Sequence, residues 1–337
     1  MPILYNKDKK NGLFYIPSGG LGPSVSAAFS YDKSSYNQSE SDPTPTITGT
    51  AGGSFNATAG LVFVDTGTHN SSTGQIDLSA STIDNHSITY TVDGVQSGVT
   101  IGVTAAPFSN VYSFEFDGVD ETFSTGLSLA YTAVPNVTLS CWVKVNYTGV
   151  GAHTSSYPVG INSSHPNGSP IRLHYNGSTS LILIQGQGGN TFGTTNLNDG
   201  NWHHILQTIQ YDTGGTIFNV YIDSVKEITD KLLYAHIPLT GDFVIAGITT
   251  STKYFKGNID EVSVFNSVLS QTDINTIYGS GTPSNISSLN PLAWYRMGEE
   301  ATFNSGTGIW TLTDQGSGGN DATSNNMEEA DRKTDTP

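Results

Sequence analysis

Phe255-Lys256-Gly257-Asn258-Ile259-Asp260-Glu261-Val262-Ser263-Val264-Phe265 reads as a strand over Ile259 to Phe265. Its β-branched and aromatic residues suit a pleated surface. Leu269-Ser270 follow. Ser270 with Asp273 three residues on makes a capping-box pattern, and Ile274, Ile277 and Tyr278 give an apolar stripe that Gly279 closes. One short helix is therefore predicted directly after this strand. Working backward, further strand signals stand at Tyr112 to Phe116, Thr138 to Val145, Ile171 to Tyr175, Leu181 to Ile184, Trp202 to Ile209, Phe218 to Ile222 and Phe243 to Ala246. Asp117-Gly118, Asn176-Gly177, Asp199-Gly200 and Gly214-Gly215 punctuate them as turns. Eight or more antiparallel strands in one stretch indicate a two-sheet sandwich or jelly roll.

Composition agrees. The chain has 337 residues, with 36% hydrophobic and only 12% charged, where about 25% charged is usual. Its 38 glycines and abundant Ser, Thr and Asn argue against helical bundles, coiled coils and doubly wound α/β folds. Lys plus Arg is 13 against 29 Asp plus Glu, a net charge of -16, and no Lys or Arg stands between Lys33 and Lys144. Nucleic acid and anionic membrane surfaces are excluded as expected partners. No stretch approaches the length of an apolar membrane span. The single cysteine, Cys141, lies in the apolar run Leu139-Ser140-Cys141-Trp142-Val143 and reads as an inert core thiol. Met1 to Tyr15 lacks the apolar region of a signal peptide. An extracellular-looking composition without that signal points to release by lysis or another export route, and a virus particle fits.

Several segments occur in a telling order. They are Phe116-Asp117-Gly118-Val119-Asp120-Glu121, Leu139-Ser140-Cys141-Trp142-Val143-Lys144, Asn201-Trp202-His203-His204-Ile205, Val220-Tyr221-Ile222-Asp223 and then Gly257-Asn258-Ile259-Asp260-Glu261-Val262. This set resembles the laminin-G-like, concanavalin A-like jelly roll family over residues 110–281. The resemblance implies a Gly-x-Ile-Asp-Glu-Val strand ahead of a short helix near the domain end, as read above.

The expected fold is all-β: a small immunoglobulin-like β module, then a concanavalin A-like two-sheet jelly roll. Residues 1–45 read as an N-terminal arm, with Asp42-Pro43-Thr44-Pro45 as the linker out of it. Residues 46–108 read as a small β-sandwich docking module, where Ser87 to Val92 alternates and Asp93-Gly94 signals a hairpin. Residues 109–281 form the jelly roll. Residues 282–337, with Leu292-Ala293-Trp294-Tyr295-Arg296-Met297-Gly298-Glu299 and Asp314-Gln315-Gly316-Ser317-Gly318-Gly319-Asn320, read as an extension packing on it, frayed at the end. The domain order resembles structural proteins of marine tailed bacteriophages.

Candidate chemistry is sparse. Retaining glycoside hydrolysis needs two carboxylates about 5–5.5 Å apart. Glu115 and Asp117 share a strand face but lack the third residue of the family's Glu-x-Asp-x-x-Glu or Glu-x-Asp-x-Glu signature. Asp260 and Glu261 are adjacent, so an extended strand points them oppositely. No zinc spacing, nucleophile elbow or phosphate loop is present. The chain is therefore expected not to be an enzyme. The resemblance implies loop calcium in some members; Asp117, Asp120 and Glu121, with Asp260 as a structural partner, supply oxygens for such a site. Otherwise no cofactor is expected. Tyr147, His153, Tyr157, His165 and Tyr175, in the 146–180 loop region, form the expected glycan or partner surface. The leading expectation is a non-enzymatic virion structural protein, a capsid decoration or fibre component on the virion surface. It would form a homo-oligomer and meet other virion or filament proteins through residues 1–108. The alternatives are a glycan-binding adhesin of a phage tail or bacterial surface, and an atypical glycoside hydrolase.

Overall fold

A computed structural model describes residues 24–131, 136–147, 156–162, 172–186, 189–212, 215–233, 239–247 and 253–337. The chain divides into two compact units, one ending at Pro107 and one spanning Phe108–Pro337.

In the first unit, Asp84–Val92 and Val95–Thr104 form a hairpin across Asp93-Gly94, both residues at positive φ. That geometry is why the Asp-Gly pair signals the turn. Ser54–Ala57 and Asn70–Ser71 extend the sheet on one side, and Ser35–Asn37 joins the other edge in parallel. Phe55, Phe63, Ile76, Ile88 and Tyr90 fill its core. The expected arm is corrected over residues 24–45, while residues 1–23 lie outside the described residues. Phe29 pairs with Ile47, Tyr36 pairs with Val103, and Ala27, Phe29 and Tyr36 are buried. The Asp42-Pro43-Thr44-Pro45 segment is tied in as well, since the Ile76 N–H donates to the Pro43 carbonyl and Leu78 N–H to Asp42 Oδ1. Single aromatics scattered among serines leave no periodicity to read, yet each fills a place in a core that long-range pairing builds.

The second unit stacks two large antiparallel sheets. One runs Val225–Leu233, Gly215–Ile222, His203–Asp212, Val137–Val145, Lys256–Phe265, Ser113–Asp117 and Arg332–Lys333, with Ala293–Tyr295 also on Lys256–Phe265. The other runs Val159–Asn162, Leu239–Ile245, Thr122–Tyr131, Ala322–Asn325, Ile309–Leu312 and Ala301–Asn304. Phe114, Phe116, Phe123, Leu139, Cys141, Val143, Phe218, Phe243 and Ile259 pack between them. This is an all-β jelly-roll sandwich.

The helix is Gln271–Tyr278. Ser270 Oγ accepts from Asp273 N–H, the Asp273 carboxylate accepts from Ser270 N–H, and Gly279 ends the helix at φ 57°. Its Ile274 and Ile277 pack with Leu206, Phe265 and Trp294 in a separate cluster outside the inter-sheet core.

Residues 282–337 contribute strands to both sheets, and Trp310 enters the core edge-on to Phe114 at 5.1 Å. The Asp314-to-Asn320 motif is one anchored turn. The Asp314 carboxylate accepts from the N–H groups of Trp294, Gly316 and Asn320 at 2.8–2.9 Å. A Cβ on Gly316 would meet the Ala293 backbone at 2.6 Å, so the close approach needs glycine. The end of the chain is held too: Arg332–Lys333 pairs with Ser113 and Phe114, and the Asp335 carbonyl accepts from Ser113 Oγ at 2.6 Å.

Candidate functional site

Asp260 and Glu261 do not point oppositely. In the pairing with Val137–Val145, Ser140 faces Ser263 and Trp142 faces Asp260, so Glu261 and Val262 together oppose Cys141. This is a β-bulge, with Glu261 in the left-handed region at φ 46°. Ile259, Val262 and Val264 remain in the inter-sheet core. The extra residue therefore leaves both Asp260 and Glu261 on the sheet's outer side. Glu299, from the turn after Ala293–Tyr295, joins them, and the three carboxylates offer oxygens within 4.8 Å of one another.

The neighbours of this group come from far along the chain. Asp260 accepts from Asn110 Nδ2 at 2.8 Å and from Glu261 N–H at 2.8 Å. Glu261 accepts from Trp294 Nε1 at 2.5 Å and Arg296 Nε at 3.2 Å. Glu299 accepts from the N–H groups of Val111 and Tyr112. Arg296 lies over Phe108, which stacks on Trp294. Asp260 is 0% exposed and Glu261 5%. Burial, then the charge of Glu261, lifts the Asp260 carboxyl well above its usual range. Burial outweighs Arg296 and Trp294 to push Glu261 up to about 7, and burial also raises Glu299. Glu299 Oε2 and Asn110 Oδ1 are buried and take no hydrogen bond among the described residues.

Such a set of oxygens can hold a hard cation such as Ca²⁺. Buried acceptors without a hydrogen-bond partner fit that chemistry, since a hard cation takes oxygen lone pairs. At pH 8, calcium is expected to raise the unfolding midpoint of this unit, by the equivalent of about 2.7 kcal/mol at a hundred times Kd. Glu299→Gln should cancel the rise. A midpoint that calcium does not move removes the cluster as a metal centre.

Asp260 stands apart from the other residues of the expected calcium set. Asp117, Asp120 and Glu121 lie at the turn between Ser113–Asp117 and Thr122–Tyr131, where Glu121 Oε2 accepts from Asp117 N–H at 2.6 Å and Asp117 Oδ1 from Val119 N–H at 2.7 Å. Burial, aided by Asp331, Asp117 and Asp120, lifts Glu121 to about 7. Asp117 stands opposite Lys256, four residues along the strand from Asp260, roughly 13 Å at strand rise. Strand register therefore separates Asp260 from that turn and gives it Glu261 and Glu299 instead.

The aromatic surface is also corrected. Tyr157 is 3% exposed and Tyr175 0%, so neither offers a face to a sugar from solvent. Tyr147 is half-buried and stacks on Tyr175 at 5.3 Å. Tyr157 lies beneath the Arg172 guanidinium at 4.5 Å. These rings pack inward as core does. His153 and His165 lie outside the described residues.

An open groove of about 490 Å³ is lined by Glu115, Lys144, Asn146, Asn258, Lys333 and Asp335 among others. Lys144 Nζ pairs with Asp335 at 2.7 Å and Lys333 Nζ with Glu115 at 3.1 Å. Trp202 flanks it and donates its indole N–H to Asp335 at 3.0 Å. Lys144 lies on Val137–Val145 and Trp202 immediately precedes His203–Asp212, each next to the Val143–His203 pair. Lys144, Trp202 and Glu115 stand in segments the sequence marks. Lys333 and Asp335 carry no such signal, because their tail reads as frayed.

Residues 116–275 match the family model described as the concanavalin A-like lectin/glucanases superfamily. These residues form a concanavalin A-like, laminin-G-like lectin-type domain. No curated protein matches the chain. Among solved structures, it is similar to the native heptameric SAP-like pentraxin of Limulus polyphemus, with 13% identity, 51% of this chain and 84% of that one covered, and a TM-score of 0.38. It is similar to Trypanosoma rangeli sialidase at 14% identity, covering 58% of this chain and 42% of the sialidase, with a TM-score of 0.33. The Ruminococcus gnavus IT-sialidase CBM40 is 12% identical, with 51% of this chain and 100% of that one covered and a TM-score of 0.34. These are likenesses of fold. They lend no support to a virion setting.

The expectation that the chain is not an enzyme is withdrawn. One of its grounds was that Asp260 and Glu261 face apart, and the bulge places them together with Glu299 within 4.8 Å. Clustered carboxylates with raised proton affinity are one feature of general acid–base sites.

Proposed function

We propose that the Phe108–Pro337 unit is a carbohydrate-binding domain whose sugar site is the groove of Lys144, Asn146 and Asn258 beside Trp202. The groove itself carries this reading. A sugar hydroxyl both donates and accepts, so its site needs both kinds of partner. Here Lys144, Lys333 and two asparagine amides donate, while Glu115, Asp335 and the amide oxygens accept. A half-buried indole at the edge offers an apolar face for a sugar ring. The fold matched over residues 116–275 supports the same reading.

A glycan array probed with the full chain tests this. A bound glycan is expected, with affinity falling at least about tenfold in Trp202→Ala and Asn146→Ala, the scale of one or two lost polar contacts. An array without signal defeats the reading. Binding untouched by both substitutions moves the site elsewhere. New reducing ends released from the bound glycan, and lost in Glu261→Gln, would assign turnover to the Asp260–Glu261–Glu299 group.

A further inference from the structure

Asp335 sits in the groove as a ligand would. Its two carboxylate oxygens meet two donors of different kinds, Lys144 Nζ at 2.7 Å and Trp202 Nε1 at 3.0 Å. Lys144 lies on Val137–Val145 and Trp202 just ahead of His203–Asp212, each one residue from the Val143–His203 pair. Strand pairing in the tail stops at Lys333. Beyond it, the segment is held by the Ser113 Oγ bond to the Asp335 carbonyl and by Thr336 Oγ donating to the Asn110 carbonyl at 3.3 Å. The Asp335 side chain is 48% exposed and Lys144 30%. Ion pairs so exposed hold weakly. The remainder of the groove stays open beside the carboxylate, with Asn146 and Asn258 on its wall.

The charge balance makes this arrangement selective. The chain has 13 Lys and Arg against 29 Asp and Glu, yet two lysines, Lys144 and Lys333, line this one groove. Burial works against the charge of Asp335, but the Lys144 and Trp202 hydrogen bonds prevail and hold its carboxyl below the usual range. Any other carboxylate placed between the same two donors gains the same charge-assisted bonds.

We infer that the Lys144–Trp202 corner is a carboxylate-recognition subsite, filled in this chain by its own Asp335, and that it takes the carboxylate of an acidic sugar when the 334–337 segment lifts. The inference rests on the groove being the sugar site. The acid group replaces Asp335 between the ammonium and the indole N–H, and the sugar ring lies against Asn146 and Asn258. The tail competes with the ligand, so removing the Asp335 charge strengthens binding.

Titration calorimetry of the full chain with trigalacturonate and with its methyl ester tests this. Trigalacturonate is expected to bind the natural chain weakly and Asp335→Asn about tenfold more tightly, the worth of one charge-assisted contact. Lys144→Met should abolish binding, and Trp202→Phe, which keeps a ring but loses the N–H, should weaken it severalfold. The methyl ester should not bind. Equal affinity for acid and ester, or no gain in Asp335→Asn, overturns the inference while leaving the sugar site standing. If neither probe nor any array glycan binds, both readings fall together. A glutamate-rich peptide binding as tightly as trigalacturonate overturns the sugar as the occupant.

Discussion

Alanine at Gly257 is expected to destabilise the Phe108–Pro337 unit by about 4 kcal/mol or more, a loss reserved for a few mechanisms. Two of them act here at once. Gly257 has φ 132°, a conformation that an L side chain rarely adopts. A Cβ there would also lie 2.2 Å from the Lys144 carbonyl oxygen and 3.1 Å from the Asn146 nitrogen. Neither neighbour can retreat cheaply. Gly257 pairs with Val145 on one side and Phe116 on the other, and both are buried in the inter-sheet core. Guanidinium unfolding followed by tryptophan fluorescence measures the effect. All four tryptophans, Trp142, Trp202, Trp294 and Trp310, lie in this unit, so the signal reports it alone. Gly308→Ala is the control. Its φ is 70° but nothing lies within 4 Å of a Cβ there, so its cost should stay near about 1 kcal/mol. Equal midpoints for the two variants would mean the Lys144 carbonyl imposes no constraint.

The second large effect is a dependence of stability on pH. Glu261 ordinarily titrates near 4.5, and burial lifts it to about 7 in the folded chain. Between those two values the folded state binds more protons than the unfolded state. Stability therefore falls as pH rises through that window, and the contribution is fully present only below about 4.5. Glu261 alone accounts for about 3 kcal/mol between the two ends. Asp260, Glu299 and Glu121 shift in the same direction. Asp199, Glu227 and Asp335 are shifted downward and oppose this only at lower pH, whereas burial lowers His174 to about 3 and His204 to about 4, so these two oppose it up to the ordinary histidine value of 6.5. With chelator present to exclude metal, the cluster should thus make stability fall from pH 5 to pH 8 relative to a chain in which it cannot titrate. Glu261→Gln should flatten that slope, since an amide cannot titrate. Identical pH profiles for the natural chain and Glu261→Gln would show Glu261 to be held as a carboxylate, with Arg296 outweighing burial.

Much of the architecture is legible locally. The turn at Asp93-Gly94 needs only its own two residues, and the helix carries its stop and start in Ser270, Asp273 and Gly279. Cys141 is buried, as its apolar run implies. The Lys256–Phe265 strand is readable from its own residues, but the bulge within it is not. A bulge is a mismatch between two strands, and its partner lies more than a hundred residues earlier, at Ser140 and Trp142. The simple alternation rule therefore gave the wrong side for Glu261.

By itself, then, the sequence determined that this protein is all-β, where most strands of its jelly roll run, and that its net charge is -16. Those properties follow from period, turn chemistry and summed charge, which need no partner. Only the tertiary structure decided which carboxylates meet, which tyrosines are hidden, and that the first unit recruits Phe29 and Tyr36 into its core. It also brought Asn110 and Glu299 to Asp260, and Asp335 to Lys144 and Trp202, across 133 to 191 residues of chain in the second case. Such meetings depend on register and sheet order, which the packing of the whole core selects and no short stretch of residues encodes.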